Sequence, residues 1–251
     1  MEPPASFDSN SIRNEMLKVF QSLKPFKHED IEKNVIRGQY TASTIKGEKI
    51  SGYRDENGVN PDSKTETYIA MKFGIDNWRW GGVPFYMRTG KRLPTRVTEI
   101  VVHFKPTPHY LFSVNQDKCD SCNQLVMRIQ PDEGILLKFG MKVPGAGFNV
   151  QKANMSFYYS QLPGSSYYIP NSYERLLLDC ALGDSTLYLR GDNVEACWKF
   201  LEPIQKVWET SPDIKIFGYP AGSWGPEKSD LLFEDSRFTW RYPCKNLAQD
   251  G

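Results

Sequence analysis

Val83-Pro-Phe-Tyr-Met-Arg-Thr-Gly-Lys-Arg-Leu-Pro-Thr-Arg96 runs from an apolar strand into a basic segment that carries Arg88, Lys91, Arg92 and Arg96. On one unbroken strand Lys91 and Arg96 would face opposite sides, because side chains alternate. Gly90 and Pro94 argue against such a strand, and they predict a turn at Gly90 that brings both cations to one place. A lysine point charge beside a planar arginine fork suits an anionic ligand. The same pattern also fits a solvated basic edge that discourages sheet-to-sheet pairing. From the residues alone both readings stay open.

The sequence on either side of this segment sets the fold class. Residues 98–105 alternate, with Ile100, Val102 and Phe104 on one face and Glu99, His103 and Lys105 near them on the other. Leu125, Met127 and Ile129 repeat the pattern opposite Arg128 and Gln130, and residues 134–139, 154–159 and 185–190 read as further strands. Short strands separated by turns predict a large, mostly antiparallel sheet.

Upstream, Ile12, Met16, Val19, Phe20 and Leu23 recur at helical spacing, with Asp8, Ser9 and Asn10 as candidate caps and Lys24-Pro-Phe as the stop. Residues 46–63, polar and rich in Gly, Asp and Lys, read as an exposed loop. Late in the chain a helix is expected over 172–181. A second is expected from Asp192, with a carboxylate capping box to Glu195 and a kink at Pro203. The class is therefore α+β, with helices packed on one face of the sheet and an apolar opposite face available for a partner.

With 251 residues the chain is long enough for one large domain or two small ones. Its 39% hydrophobic and 24% charged residues are ordinary for a globular protein. A net charge of +1 argues against nucleic acid or acidic membranes as main partners. No apolar run approaches the roughly 18 residues of a membrane helix, and the polar, Pro-rich N-terminus does not read as a signal peptide. Of the five cysteines, Cys119 and Cys122 form a lone CxxC with no second pair and no histidine at zinc spacing. All five read as reduced cytosolic thiols, and no metal site is expected. Asn154-Met-Ser156 is a glycosylation sequon only formally, since no secretory signal accompanies it.

The basic segment belongs to a longer series. Glu2-Pro-Pro-Ala-Ser-Phe7, Ser11-Ile-Arg-Asn-Glu15, Gly38-Gln-Tyr40, Ser63-Lys-Thr-Glu-Thr67, Val83 through Leu93, Asn123-Gln-Leu-Val-Met-Arg-Ile-Gln-Pro131, Tyr173-Glu-Arg-Leu-Leu-Leu-Asp179 and Ala221-Gly-Ser-Trp-Gly-Pro226 follow one another along the chain. In content and order they resemble the C-terminal half of the glucose-6-phosphate dehydrogenase family. The resemblance implies that residues 1–25 form a helix at the end of the family's coenzyme-domain region, and that residues 26–251 are its C-terminal domain. It implies a cytoplasmic oxidoreductase of the oxidative pentose phosphate route, which oxidises D-glucose 6-phosphate to 6-phospho-D-glucono-1,5-lactone with NADP or NAD.

Within that family the resemblance places Lys91, Arg96 and Gln130 at the sugar-phosphate pocket. The cations would meet the phosphate or hydroxyls, and the amide would both donate and accept. A second, non-catalytic NADP position is matched at Arg88, Arg128 and Lys138, but Val97 and Val101 stand where cations belong and Leu136 where an aromatic belongs. The lost charges weaken attraction for a phosphorylated dinucleotide, so no cofactor is expected on this chain. A homodimer through the sheet is implied.

The family's general base, a histidine held by an aspartate, and its nucleotide-binding domain both precede the Glu-Pro-Pro-Ala-Ser region. Neither is expected in this sequence, no residue here is assigned as catalytic, and the chain alone is expected to be inactive. Three patterns do not restore them. Gly145-Ala-Gly147 has Val150 at its third glycine position and no following amphipathic helix. Gly90-Lys91 has Phe85 and Arg92 where a P-loop needs Gly and Ser or Thr. His109-Tyr-Leu111 lacks the Asp, Gly and Lys of the family's substrate motif, and it falls after the Gly-Lys stretch rather than before it. His28 and His103 likewise have no recognisable carboxylate partner. A reading from a different class is a free-standing, non-catalytic module for assembly or for binding sugar phosphates.

Overall fold

Asp8 opens the first helix, α1 (Ser9–Gln21), by accepting hydrogen bonds from the backbone N–H of Asn10 at 2.9 Å and of Ser11 at 3.0 Å. It is the outermost of the three predicted caps. The computed structural model describes residues 1–105, 123–145, 147, 149–161, 171–211 and 213–244. His109, Cys119 and Cys122 lie outside the described residues. Two compact bodies share the chain, the first within Met1–Arg92, Ile169–Ala221 and Gly225–Leu232, the second within Leu93–Tyr168, Gly222–Trp224 and Phe233–Gly251.

In the first body α2 (His28–Asn34) leads into β1 (Val35–Thr41), which is buried over all but its last residue. Such a strand lies inside a sheet. It pairs antiparallel with β4 (Tyr68–Phe73) and parallel with β10 (Phe217–Pro220), and β5 (Phe85–Gly90) joins beyond β4. α4 (Gly191–Thr210) continues through Pro203. The core packs Ile204 and Val207 of α4 against Ile31 of α2, Val35 of β1 and Met71 of β4. Full burial of such side chains stabilises by about 1.5–3 kcal/mol each. Phe26, Phe73 and Phe200 edge this cluster with ring centroids 5.3 and 5.7 Å apart.

In the second body β6 (Thr98–His103), β7 (Gln124–Gln130), β8 (Gly134–Lys142) and β9 (Val150–Tyr158) pair in sequence order, all antiparallel. Val126, Leu136 and Tyr158 form the core of one face, with Val101 packed against them. That face also carries Glu99 and Arg128.

The α+β class and the mostly antiparallel pairing agree with the sequence. Among the described residues the strands form two four-stranded sheets and one two-stranded hairpin. The two larger sheets are separate because β5 ends at Gly90 and the chain then passes through a left-handed Arg92 (φ 52°) and Pro94 before β6. A proline without an N–H cannot extend the ladder.

Three local expectations are corrected. Residues 46–63 are not a plain loop: β2 (Ser43–Ile45) and β3 (Glu48–Ile50) form a hairpin, and a short 3-10 turn follows at Tyr53–Asp55. Lys46 (φ 51°) and Gly47 (φ 87°) supply the two left-handed residues that such a tight turn requires. Residues 185–190 are not a strand. The Tyr188 N–H bonds Ser185, the Asp184 carboxylate accepts from the Thr186 N–H, and Arg13 donates to the Tyr188 carbonyl at 3.0 Å, so the backbone closes on itself. Asp192 makes no capping box, because the helix begins before it, at Gly191 with Arg190 in the cap position, and Arg190 holds the Asp192 carboxylate in two contacts of 2.8 Å. The other late helix, α3 (Ser172–Leu182), forms as expected between an Asn171 cap and a left-handed Gly183.

Candidate functional site

Lys91 follows directly on β5, and its position is set by the strands beneath it. Phe85 stacks on Phe73 at the start of β5 (centroids 5.5 Å apart), and Gly90 pairs with Tyr68 at its end. A Cβ at Gly90 would lie 2.7 Å from the Tyr68 ring, so close packing requires glycine there. The predicted turn at Gly90 is therefore displaced: Gly90 is the last strand residue, and the chain turns at Arg92.

The Lys91 peptide is gripped on both sides. Its N–H donates to the Thr67 carbonyl at 2.8 Å, and its carbonyl accepts the Tyr219 hydroxyl at 2.8 Å. Tyr219 lies wholly within the core, and burial pushes its phenol up to about 12. Thr67 Oγ1 lies 3.1 Å from the Tyr219 hydroxyl and accepts the Tyr40 N–H at 3.0 Å. The Lys91 side chain is exposed, and among the described residues no carboxylate pairs with it.

Arg92 differs. Its guanidinium meets Glu56 Oε1 at 3.0 Å and lies over the Tyr40 ring, 6.0 Å from the centroid. Tyr40 donates to the same Glu56 oxygen at 2.9 Å. Arg92 and the Tyr40 hydroxyl hold the Glu56 carboxyl below its usual range, while burial raises the Tyr40 phenol. Two adjacent cations thus have unlike surroundings: Arg92 is neutralised by Glu56, and Lys91 has no carboxylate partner among the described residues. Arg88 stands opposite Ala70 on β5, near the buried Tyr68 phenol. Burial pushes that phenol up, against the lowering influence of Ser229 and Arg88.

Arg96 and Gln130 belong to the second body, and both are exposed. Gln130 closes β7 opposite Thr98 and precedes a cis bond to Pro131. Arg128 of the same strand has a wholly buried side chain. Its Nε meets Glu99 Oε2 at 3.2 Å, and another of its nitrogens donates to the Cys244 carbonyl at 3.3 Å. Arg241 takes the other Glu99 oxygen at 2.8 Å. Lys138 lies on β8 in the row of Gln124 and Asn154. His103 contacts Gln124 and the Phe238 ring, and burial lowers its pKa. His28 is the first residue of α2.

Among the described residues no cluster of His, Cys, Asp and Glu is suited to a metal, and no helix is long and apolar enough to cross a membrane.

Sequence reasoning missed the residues that hold Lys91. The signal was present, because the stretches that carry the resemblance converge here. Gln39 donates to the Ser63 and Thr65 carbonyls at 3.1 and 2.9 Å, Thr67 bonds Gly38 and Lys91, and a Cβ at Gly38 would meet Pro226 at 2.8 Å. What these residues provide is a lysine on a rigid backbone with its ammonium toward solvent, a group that can receive an anion.

The profile described as "Glucose-6-phosphate dehydrogenase, C-terminal domain" matches residues 1–241. The chain is 50% identical over 243 residues to the glucose-6-phosphate 1-dehydrogenase of Aggregatibacter actinomycetemcomitans, covering 97% of this chain and 48% of the relative. It is 48% identical over 251 residues to that of Treponema pallidum (strain Nichols), covering 100% of this chain and 48% of the relative. A solved glucose-6-phosphate dehydrogenase in complex with its substrate glucose-6-phosphate superposes with a TM-score of 0.83 at 34% identity, over 96% of this chain and 48% of that one. The glucose-6-phosphate 1-dehydrogenase from Mycobacterium avium gives 0.77 at 32% identity, over 97% and 47%. The chain spans about half the length of the curated relatives it matches.

Proposed function

The chain belongs to the glucose-6-phosphate dehydrogenase family, matching its C-terminal domain, and from that premise we propose that it serves the oxidation of D-glucose 6-phosphate to 6-phospho-D-glucono-1,5-lactone with NADP or NAD, the first step of the oxidative pentose phosphate route. Its own contribution is substrate binding: Lys91, Arg96 and Gln130 each offer an exposed polar group to the sugar phosphate. The observation that carries the reading is Lys91, which the family motif delivers, Thr67 and Tyr219 fix, and no carboxylate among the described residues neutralises.

A nicotinamide dinucleotide supplies the hydride acceptor, and a general base takes the hydroxyl proton. We assign both to the part of the family enzyme that this chain does not span. Of the three cations matched to a second NADP position, Arg128 is buried against Glu99 and the Cys244 carbonyl. It does not fit a role as a dinucleotide ligand. We assign the cytoplasm as the compartment.

The reading extends to a homodimer through the second sheet. Ile100, Met127, Ile135 and Phe157 stand in register across its four strands, on the face opposite Val126 and Leu136. Ile100, Ile135 and Phe157 are exposed by 52%, 37% and 41%, a row of apolar side chains left open to a partner. A second copy of the same row is a self-complementary partner.

The test is direct. The purified 251-residue chain, given glucose 6-phosphate with NADP or NAD, is expected to form no reduced nicotinamide. Measurable NADPH or NADH from the chain alone would overturn the division of labour proposed here.

A further inference from the structure

We propose that Tyr219 is a positioning residue for substrate binding, acting through its hydroxyl on the Lys91 carbonyl. The inference rests on the reading of Lys91 as a sugar-phosphate ligand and adds the group that fixes it. A lysine side chain is long and flexible, so where its ammonium is offered depends on how firmly its backbone is held. At Lys91 the chain has just left β5, and ladder pairing with β4 ends at Tyr68 and Gly90. Two hydrogen bonds replace the ladder, one from the Lys91 N–H to Thr67 and one from Tyr219 to the Lys91 carbonyl.

Tyr219 is suited to this work. It sits on β10, on the far side of β1 from β4, so its ring reaches under two strands to a carbonyl beyond the sheet's own pairing. The ring is wedged against Tyr68 and Tyr40, with centroids at 5.4 and 6.4 Å, and has no exposed surface. Thr67 Oγ1 accepts the Tyr40 N–H and can donate its own proton to the Tyr219 oxygen, an arrangement that leaves the Tyr219 proton for the carbonyls, of which Lys91 is the nearer at 2.8 Å. One residue further on, Arg92 is held to Glu56. The Lys91 peptide is therefore fixed from beneath and from its C-terminal side, while its side chain stays in solvent. The Thr67 carbonyl is a second acceptor for the Tyr219 hydroxyl, at 3.2 Å, but it already takes the Lys91 N–H at 2.8 Å, and the Lys91 carbonyl is the shorter contact.

The experiment is a chemical-shift titration of the labelled 251-residue chain with glucose 6-phosphate at millimolar concentrations, run on the parent, Tyr219→Phe, Lys91→Ala and the double variant. The expected result is a perturbation at the Lys91 amide in the parent and an affinity about fivefold weaker in Tyr219→Phe, the scale of one net hydrogen bond. In the Lys91→Ala background Tyr219→Phe is expected to change affinity no further, whereas it lowers the melting temperature equally in both backgrounds. A parent affinity retained by Tyr219→Phe, or an equal loss in both backgrounds, overturns the positioning role and leaves the Lys91 reading standing. No response in the parent, or unchanged binding in Lys91→Ala, overturns the Lys91 reading and this inference with it. Tyr219→Phe that fails to fold would be replaced by Thr67→Val, which removes the hydroxyl orienting Tyr219 and carries the same expected pattern.

Discussion

Gly225 is seated on the ring of Tyr68, where a Cβ would lie 2.3 Å from the nearest ring carbon. Its φ of 107° is also one that side chains rarely adopt. Since Gly90 meets the same ring from its own side, Tyr68 occupies a slot that only two glycines leave open. Gly225→Ala is expected to destabilise the first body by about 3 kcal/mol or more, from overpacking of about 1–3 kcal/mol and backbone strain of about 1–3 kcal/mol. Gly82→Ala is the control. Its φ is 77° with nothing within 4 Å of the added atom, so only the strain should register, at about 1 kcal/mol. Urea unfolding of the two variants compares them.

Glu99 shares its carboxylate between Arg128 and Arg241, and the three side chains are 9%, 0% and 13% exposed, respectively. Removing it leaves two buried guanidiniums without their common partner. Glu99→Ala is expected to cost about 3–5 kcal/mol. Arg128→Met keeps the Glu99–Arg241 pair and puts an apolar side chain on the face that carries Val126 and Leu136, so it should cost about 1–2 kcal/mol. Equilibrium denaturation read at Trp240, which is buried in the same body, measures both.

This cluster also shows where the sequence was legible and where it was not. The alternation along β6 and β7 is visible in the residues, as are α1, α3 and the basic segment at Lys91. Which face of the second sheet is covered is not. Ile100 and Ile135 lie on the open face, whereas Glu99 and Arg128 lie on the covered one. Period-two patterning separates two faces but does not rank them when the charged residues can pair with each other. Tyr219 and Thr67 were beyond reach for another reason. Their importance is a matter of which carbonyl they meet, and β10 arrives beside β1 from a separation of nearly the whole body. The hairpin at Lys46-Gly47 was obscured by its polar composition, although its turn chemistry fits.

Glu56 should give the chain an acid-sensitive contact. Arg92, and then the Tyr40 hydroxyl, hold its carboxyl below the ordinary 4.5 in the folded state. A depressed folded value means that the stabilisation is complete above the unfolded value and is lost as pH falls through the folded one. The window therefore lies on the acid side of 4.5. Side-chain NMR titration is expected to place Glu56 below 4.5 in the parent and nearer to it in Arg92→Gln. An unchanged Glu56 titration in that variant would count against the ion pair. The exposure of both partners keeps the stability effect small and salt-sensitive.

The open face of the second sheet is apolar along its middle row. Ile135 lies at the centre of the row Ile100, Met127, Ile135 and Phe157, on a strand paired along both edges. A carboxylate there would be desolvated twice in a self-complementary interface, once in each copy. Ile135→Asp is expected to weaken self-association by about 100-fold or more, read by sedimentation at micromolar concentrations. Because Ile135 is 37% exposed within a single chain, the same change should leave the melting temperature of the dissociated protein within a few degrees of the parent. A parent chain that sediments as a monomer throughout, or a variant that still pairs, would remove this face from the assembly. The covered face offers the comparison, since Val126→Asp sits in the core and should unfold the body instead of dissociating it.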